Sequence, residues 1–368
     1  MKFLFRQTLG VVFAGFVLVS VQAQPRNPSV GYVHPAGGQR GTKITIEIAG
    51  QNLRRVESVQ VSGGGVKVLS VRTGAAFTQR LRNHFRAIRD QRTNAVNTLK
   101  AKRAEALKAA GTMEEEAEGM TMEGAAAKAA AEEEEAKKKK GGMRAQREPL
   151  PLRHLAFPKL ESMKMWELRR VSMMFTPPTA PQINRQISEC ALVEIEIAPD
   201  AKPGDRELRI FTARGVSNPM CFQVGTIPEV HEIEPNNTKA PDGPPQKTPF
   251  LLNGQILPGD IDRLRFEARK GQKLVVQTFA RHLVPFLADA VPGWFQATVA
   301  LYDEKGREVA YADDFRFDPD PVLLYDVPAT GVYELEIRDS IYRGREDFVY
   351  RISVGELPFI TRMFPLGG

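Results

Sequence analysis

The sequence predicts a mainly β protein made of two antiparallel β-sandwiches, the first of which is interrupted by a long, charge-rich α-helical insertion. Three observations support this fold class. Segments with alternating apolar and polar residues occupy residues 28–72 and resume after residue 186. The stretch between them is rich in Arg, Ala, Glu and Lys. A linker rich in Pro and Asn follows, and it leads into a further series of short strand-like segments separated by turns.

The first 23 residues predict a secretory signal peptide. Lys2 and Arg6 precede an apolar run over residues 9–19, which is too short to span a bilayer comfortably, and the small-residue motif Val-Gln-Ala follows it. We therefore expect export to the periplasm, the cell surface or the extracellular space. An uncleaved N-terminal anchor is the alternative. The remaining sequence has no apolar stretch long enough to cross a membrane, so an integral membrane protein is not expected.

The formal net charge is +7, but its distribution argues against a nucleic-acid partner. Much of the positive surplus lies in the signal segment and in residues 75–148, which leaves the folded parts nearly neutral. A nucleic-acid-binding protein would instead concentrate Lys and Arg on one folded face. The expected partner is an extracellular or periplasmic polymer or protein.

The first sandwich is predicted to comprise residues 24–74 and 186–225, with residues 75–185 as the insertion. Its clearest strand alternates Ile44, Ile46 and Ile48 with polar residues. Within the insertion, one helical face of about 100° carries an apolar stripe, which predicts an amphipathic helix of about 30 residues: Leu81, Phe85, Ile88, Val96, Leu99 and Leu107.

The rest of the insertion is a low-complexity tract of acidic and basic blocks, for which a solvated, mobile segment is the simplest interpretation. Self-association through residues 75–148 is a further hypothesis, and deleting those residues should then leave folded monomers.

The two cysteines, Cys190 and Cys221, both lie in strand-like segments. Because an exported protein meets an oxidising environment, a disulfide between neighbouring strands is expected. Two buried thiols that act as small apolar residues are the alternative.

The segment 226–240 is predicted to be a linker, because it is rich in Pro and Asn and has no periodicity. Residues 241–356 are predicted to form the second sandwich. Residues 357–368 are either a tail or the start of a further module, since Pro365, Gly367 and Gly368 repeat the spacing of Pro35, Gly37 and Gly38.

Two resemblances follow from particular stretches. HPAGGQRGTKITIEIAGQNL and GVSNPMCFQVG resemble the start and end of an IPT/TIG domain, which implies an immunoglobulin-like fold interrupted here by the helical insertion. EIEPNN, NGQILPGDIDRLRFEARKGQKLVV, LYDEKGREVAYADD and GVYELEIRDS resemble a bacterial pre-peptidase C-terminal (PPC) domain. That second resemblance implies a jelly-roll-like, non-catalytic sandwich appended to secreted proteins, with calcium in some members.

Calcium is the only expected cofactor, because loops between strands can supply the six to eight oxygen ligands that it needs. Two clusters are candidate metal sites. The first lies in the linker and the first hairpin of the second sandwich: Glu232, Glu234, Asn236, Asp260 and Asp262. The second lies in the segment ADDFRFDPDP: Asp313, Asp314, Asp318 and Asp320. Turn-forming Asp side chains that accept hydrogen bonds from nearby backbone amides are the alternative for both.

No catalytic motif is present. The sequence has no Gly-x-Ser-x-Gly elbow and no His-Glu-x-x-His pair, and its five histidines are scattered. The expected function is therefore that of an exported, non-catalytic binding or accessory protein that contacts a polymer, a cell-surface component or a partner protein. The alternative is the N-terminal, non-catalytic part of a secreted hydrolase.

Overall fold

A computed structural model describes residues 27–111, 149–175, 184–284, 294–361 and 363–365. It confirms a mainly β fold with stacked sheets and a helical insertion in the first sandwich. The predicted signal peptide, most of the low-complexity tract and the two terminal glycines lie outside the described residues.

The first sandwich consists of two sheets. Sheet A has the strand order β1-β3-β6-β5 and is formed by Ser29–His34 (β1), Lys43–Gln51 (β3), Val66–Ala75 (β5) and Glu189–Ile197 (β6). Sheet B has the order β2-β9-β7-β4 and is formed by Gly37–Gln39 (β2), Val56–Val61 (β4), Gly204–Thr212 (β7) and Met220–Gly225 (β9), with the short Gly215–Val216 (β8) beside β7.

The alternating apolar residues of both sheets meet in one core. Ile46 and Ile48 of β3 are fully buried, as their alternation predicts. Gly38 of β2 lies against the other sheet, because a Cβ at this position would come within 2.7 Å of the side chains of both Ile44 and Ile197. The absence of a side chain at Gly38 therefore lets the two sheets approach closely.

The insertion leaves sheet A after β5 and returns at β6, so its two ends are neighbours in the sheet, where Ala75 pairs with Glu189. It contains the helices Phe77–Gly111 (α1) and Met165–Phe175 (α2). The first turns of α1 pack against α2, the returning segment and one residue of the second sandwich in a small separate core: Phe77, Leu81, Ala156, Phe157, Leu160, Leu168, Val171, Phe175 and Leu257.

The predicted apolar stripe of α1 is only partly buried. Leu81 is fully buried, whereas Val96 and Leu99 are 48% and 68% exposed. The side chain of Leu107 lies outside the described residues. The helix therefore extends beyond the surface that buries its first turns.

The second sandwich also has two sheets. Sheet C has the order β10-β12-β19-β14-β17 and is formed by Glu229–His231 (β10), Phe250–Gln255 (β12), Lys273–Phe279 (β14), Val322–Asp326 (β17) and Val349–Gly355 (β19). Sheet D has the order β11-β13-β18-β15-β16 and is formed by Gln246–Lys247 (β11), Ile261–Ala268 (β13), Ala297–Tyr302 (β15), Glu308–Ala312 (β16) and Gly331–Asp339 (β18).

Two features of the sheets differ from the prediction. Residues 226–240 are not only a linker, because Glu229–His231 forms β10 and pairs with β12. The sheets are also not purely antiparallel, since β2–β9, β10–β12 and β11–β13 are short parallel pairs. In each parallel pair a strand of two or three residues joins a sheet edge, which is too short to produce a periodic sequence pattern.

Arg351 of β19 joins the two sandwiches. Its side chain is 1% exposed, and its Nε donates to Gln223 Oε1 of the first sandwich at 3.0 Å. Its Nη2 donates to Glu229 Oε1 at 2.7 Å, and its Nη1 donates to Asn253 Oδ1 at 2.7 Å. Gly37 makes room for the guanidinium, because an added Cβ would lie 2.8 Å from Arg351 Cζ.

The described residues contain no helix that is both long enough and apolar enough to cross a membrane.

Candidate metal centre

The five residues of the first predicted cluster come from two segments that the fold brings together. Glu232 and Glu234 directly follow β10, where the Glu232 N–H donates to the Asn253 carbonyl at 3.0 Å and the Glu234 N–H donates to the Ala156 carbonyl at 2.9 Å. Asp260 and Asp262 lie at the start of β13. The parallel pairing of β10 with β12 therefore places Glu232 and Glu234 beside the connection from β12 to β13, which supplies the two aspartates.

The carboxylates converge within the reach of one cation. One oxygen from each of Glu232, Glu234 and Asp262 lies within 4.8 Å of the other two. Asn236 is beside them, since its backbone N–H donates to Glu234 Oε2 at 3.1 Å. All five predicted residues are between 0% and 6% exposed, and the centre is therefore enclosed by protein.

Tyr350 of β19 closes one side of the centre. Its hydroxyl lies 2.7 Å from Asp262 Oδ2 and 3.2 Å from Glu232 Oε2. Gly254 provides the space, because a Cβ there would lie 2.2 Å from the Tyr350 hydroxyl and 2.5 Å from Glu232 Oε2. Neither residue was predicted from the sequence; the inward position of Tyr350 in an alternating strand was the available signal.

Several oxygens of the cluster are already used in hydrogen bonds. Glu232 Oε1 accepts from the Gln255 N–H at 2.9 Å. Asp260 accepts from two backbone amides, those of Leu257 and Ile261, each at 3.1 Å. Asp260 therefore has the structural role in a turn that is the alternative to metal binding.

Other polar atoms have no hydrogen-bond partner among the described residues although they are buried. They are Glu234 Oε1, Asp262 Oδ1 and both amide atoms of Asn236. A buried polar atom without a partner is unfavourable by roughly 1–3 kcal/mol, and more when it is charged. Three of these unpartnered atoms are oxygens, which are the ligand type that hard divalent cations take.

Burial also makes the negative charges of the cluster unfavourable. It is the main cause that raises the pKa of Glu232 to about 8 and that of Glu234 to about 9, with neighbouring carboxylates adding to the shift. The pKa of Asp260 rises to about 6, and that of Asp262 rises well above its usual value, again mainly through burial. Without a cation, Glu232 and Glu234 therefore favour the protonated form near neutral pH.

The structure does not bring the second predicted cluster together. Asp313, Asp314 and Asp318 are exposed, and with Asp320 they form no group of three within one cation's reach among the described residues. The carboxylate of Asp320 is buried and instead accepts from the backbone amides of Ala280, Arg281 and His282. This corrects the prediction of a metal site there and supports the turn-capping alternative.

The predicted disulfide is also wrong, because Cys190 and Cys221 are both free and buried. Cys190 lies in sheet A and packs with Ala76 and Leu150 of the insertion, on the face away from the sandwich core. Cys221 lies in sheet B, beside Asp205 and His282. Alternation predicted two strands correctly but did not show that they belong to different sheets.

The comparisons with known proteins add little. No protein-family model matches the chain, and no curated protein sequence matches it. Among solved structures, it is similar to the secreted serine protease VesC from Vibrio cholerae, with 11% identity and a TM-score of 0.19. The match covers 49% of this chain and 38% of that one, so the chain spans well under two thirds of that protein. At this TM-score the likeness carries no argument about fold or activity.

Proposed function

We propose that this chain is an exported, non-catalytic binding or accessory protein whose second sandwich is stabilised by a calcium ion. The observation that supports a metal site most directly is the group of buried carboxylates Glu232, Glu234 and Asp262. Oxygens of Glu234, Asp262 and Asn236 in and beside this group have no hydrogen-bond partner among the described residues. Calcium would hold the chain between the two sandwiches against the connection from β12 to β13 in the second.

The ligand chemistry favours calcium over other common metals. The centre offers carboxylate and amide oxygens, and its described metal-ligating group contains neither imidazole nor thiolate. Oxygen donors suit hard cations, whereas zinc and copper prefer nitrogen and sulfur. Calcium accepts an irregular set of six to eight oxygens, while magnesium demands a near-ideal octahedron and retains several waters.

The burial of the centre supports a structural role for the ion. Glu234 is the most exposed of the five predicted residues, and it is only 6% exposed. A catalytic metal needs an open coordination position that a substrate can reach. We therefore assign the ion to stability and orientation, and place partner binding elsewhere on the protein.

The surface proposed for partner binding is the cleft between sheet A and the returning segment of the insertion. It has a volume of about 770 Å³, which is within the usual range of ligand sites. Its lining combines charged, aromatic and hydrogen-bonding side chains, among them Tyr32, Lys43, Arg72, His154, Glu194 and His231. Such a lining suits a polar polymer or a peptide segment.

The calcium proposal is tested by thermal unfolding of the full chain in millimolar Ca²⁺ and in chelator. At 100 times its Kd, an ion bound only to the folded state stabilises it by about 2.7 kcal/mol. That corresponds to a rise in Tm of about 3–4 °C if the 368-residue chain unfolds as one unit. An unchanged Tm would contradict the proposal.

Three variants separate the site from general salt effects. Asp262→Asn and Glu234→Gln should abolish the response to calcium. Glu234→Gln should in addition raise the Tm in chelator at neutral pH, because burial raises the pKa of Glu234 to about 9 and folding without the ion therefore requires this carboxyl to be protonated, a cost that Gln does not have. The control is Asp314→Asn in the exposed second cluster, which should leave the response unchanged.

The alternative, a non-catalytic part of a secreted hydrolase, is distinguished by the intact mass of the protein as its own cell exports it. A mass corresponding to residues 24–368 would favour the accessory protein. A much larger mass would favour the hydrolase.

A further inference from the structure

A second group of metal-ligating side chains lies where the two sandwiches meet. Asp205 belongs to β7, Cys221 to β9, and His282 to the short turn Arg281–Leu283 of the second sandwich. In the antiparallel pair β7–β9, Asp205 is opposite Gln223 and Glu207 is opposite Cys221. Asp205 and Cys221 are therefore diagonal neighbours on the same face of sheet B, and this face is turned towards His282.

The three side chains are close enough to share one ion. One ligand atom from each lies within 4.8 Å of the other two, and His282 Nε2 is 2.6 Å from Asp205 Oδ2. The ligand atoms of a tetrahedral zinc site are about 3–4 Å apart, as its bond lengths of 2.0–2.3 Å require. Small side-chain adjustments are therefore sufficient to admit a metal.

The group is also accessible and well supported. The side chains of Asp205 and His282 are 50% and 46% exposed, whereas Cys221 is 8% exposed. An ion can therefore enter from solvent and keep a water as a further ligand, while the thiol lies at the protected side.

A chain of hydrogen bonds orients the ligands from behind. Gln223 Nε2 donates to Asp205 Oδ1 at 3.0 Å, and Arg351 Nε donates to Gln223 Oε1 at 3.0 Å. The carboxylate of Asp320 accepts from the backbone N–H of His282 at 2.9 Å and so holds the turn that carries the imidazole. Outer partners of this kind are a regular feature of protein metal sites.

We propose that Asp205, Cys221 and His282 bind a divalent transition-metal ion of the zinc type, with water as the fourth ligand. A thiolate, an imidazole and a carboxylate form a ligand set that suits zinc. On binding, the Cys221 thiol proton and the proton shared by His282 and Asp205 pass to solvent. Because two ligands come from the first sandwich and one from the second, the ion links them. This site is independent of the calcium centre, which has oxygen ligands only.

The first experiment titrates the reduced, tag-free full chain with Zn²⁺ by calorimetry and with Co²⁺ by absorption spectroscopy. The expected result is one zinc per chain and, with cobalt, a thiolate-to-metal charge-transfer band. Failure to bind zinc at micromolar concentration overturns the proposal. Zinc binding together with a cobalt complex that lacks the thiolate band overturns the assignment of Cys221 as a ligand.

Matched variants locate the site. Cys221→Ser should weaken zinc binding by about a hundredfold or more and remove the cobalt band, whereas Cys190→Ala, at the other buried free thiol, should change neither. Equal losses in the two cysteine variants, or an unchanged affinity in Cys221→Ser, overturn the proposal. If Cys221→Ser does not fold, His282→Gln is decisive, because this half-exposed side chain is outside the core. Asp262→Asn, in the calcium centre, should leave zinc affinity unchanged.

Discussion

Replacing Arg351 with alanine should produce one of the largest losses of stability available in this protein. The change leaves the Glu229 carboxylate, 11% exposed, without its charged partner, and it removes a donor from both Gln223 Oε1 and Asn253 Oδ1. Removing one partner of a buried ion pair typically destabilises a protein by 3–5 kcal/mol, since the remaining charge stays in a poorly solvated place. The predicted loss for Arg351→Ala is therefore about 3–5 kcal/mol.

The assay is urea unfolding of the variant and of two companions. Arg307→Ala removes an exposed arginine, 71% accessible, from its pair with Asp303 and should reduce stability by no more than about 1 kcal/mol. The double variant Arg351→Met with Glu229→Gln should recover part of the loss, because it leaves no charge unpaired. If Arg351→Ala is no more destabilising than Arg307→Ala, the inferred role of Arg351 in joining the sandwiches is refuted.

Two further predictions concern pH and self-association. Burial raises the pKa of Glu346 to about 8, so between about pH 4.5 and pH 8 this carboxyl is neutral in the folded protein but ionised in the unfolded chain. Its contribution to the free energy of unfolding is therefore fully present below about pH 4.5 and is lost as the pH rises to about 8. Glu346→Gln should therefore raise the Tm more at pH 8 than at pH 5, and an equal change at both would contradict this assignment. Val96 and Leu99 continue the apolar stripe of α1 into solvent, so if chains associate through residues 75–148, replacing both with Asp should reduce the particle size in light scattering. An unchanged size would exclude association through this stripe.

The fold class was predictable because much of it rests on local patterns. The alternation of Ile44, Ile46 and Ile48 predicted β3, and the apolar stripe beginning at Leu81 predicted α1. The burial of that stripe was not predictable, because it depends on where the returning segment packs. Phe157 and Phe175 cover the start of α1 from positions far along the chain.

The candidate sites, too, were predictable where a short segment of sequence carries the pattern and unpredictable where distant segments meet. The carboxylates of the candidate metal centre lie in two short motifs that the resemblance to PPC domains singled out, and the structure brings all five predicted residues together. Tyr350 and Gly254 were missed because only the pairing of β12 with β19 places them at the centre. Asp205, Cys221 and His282 come from two strands and a turn in different sandwiches, and no spacing in the sequence links them.

The pairing of distant strands in the first sandwich has a consequence for the order in which the protein folds. Lys43 pairs with Glu196, and β2 pairs with β9, so the first sandwich cannot close until the chain as far as Gly225 has left the ribosome. Strand pairing across so long a loop is slow, whereas α1 needs only local contacts. The strand β3 can pair early with β1, but the Val-rich strands β4 and β5 must wait unpaired until β7 and β6 have been made. In that interval they are the part of the chain most exposed to aggregation and most dependent on a chaperone.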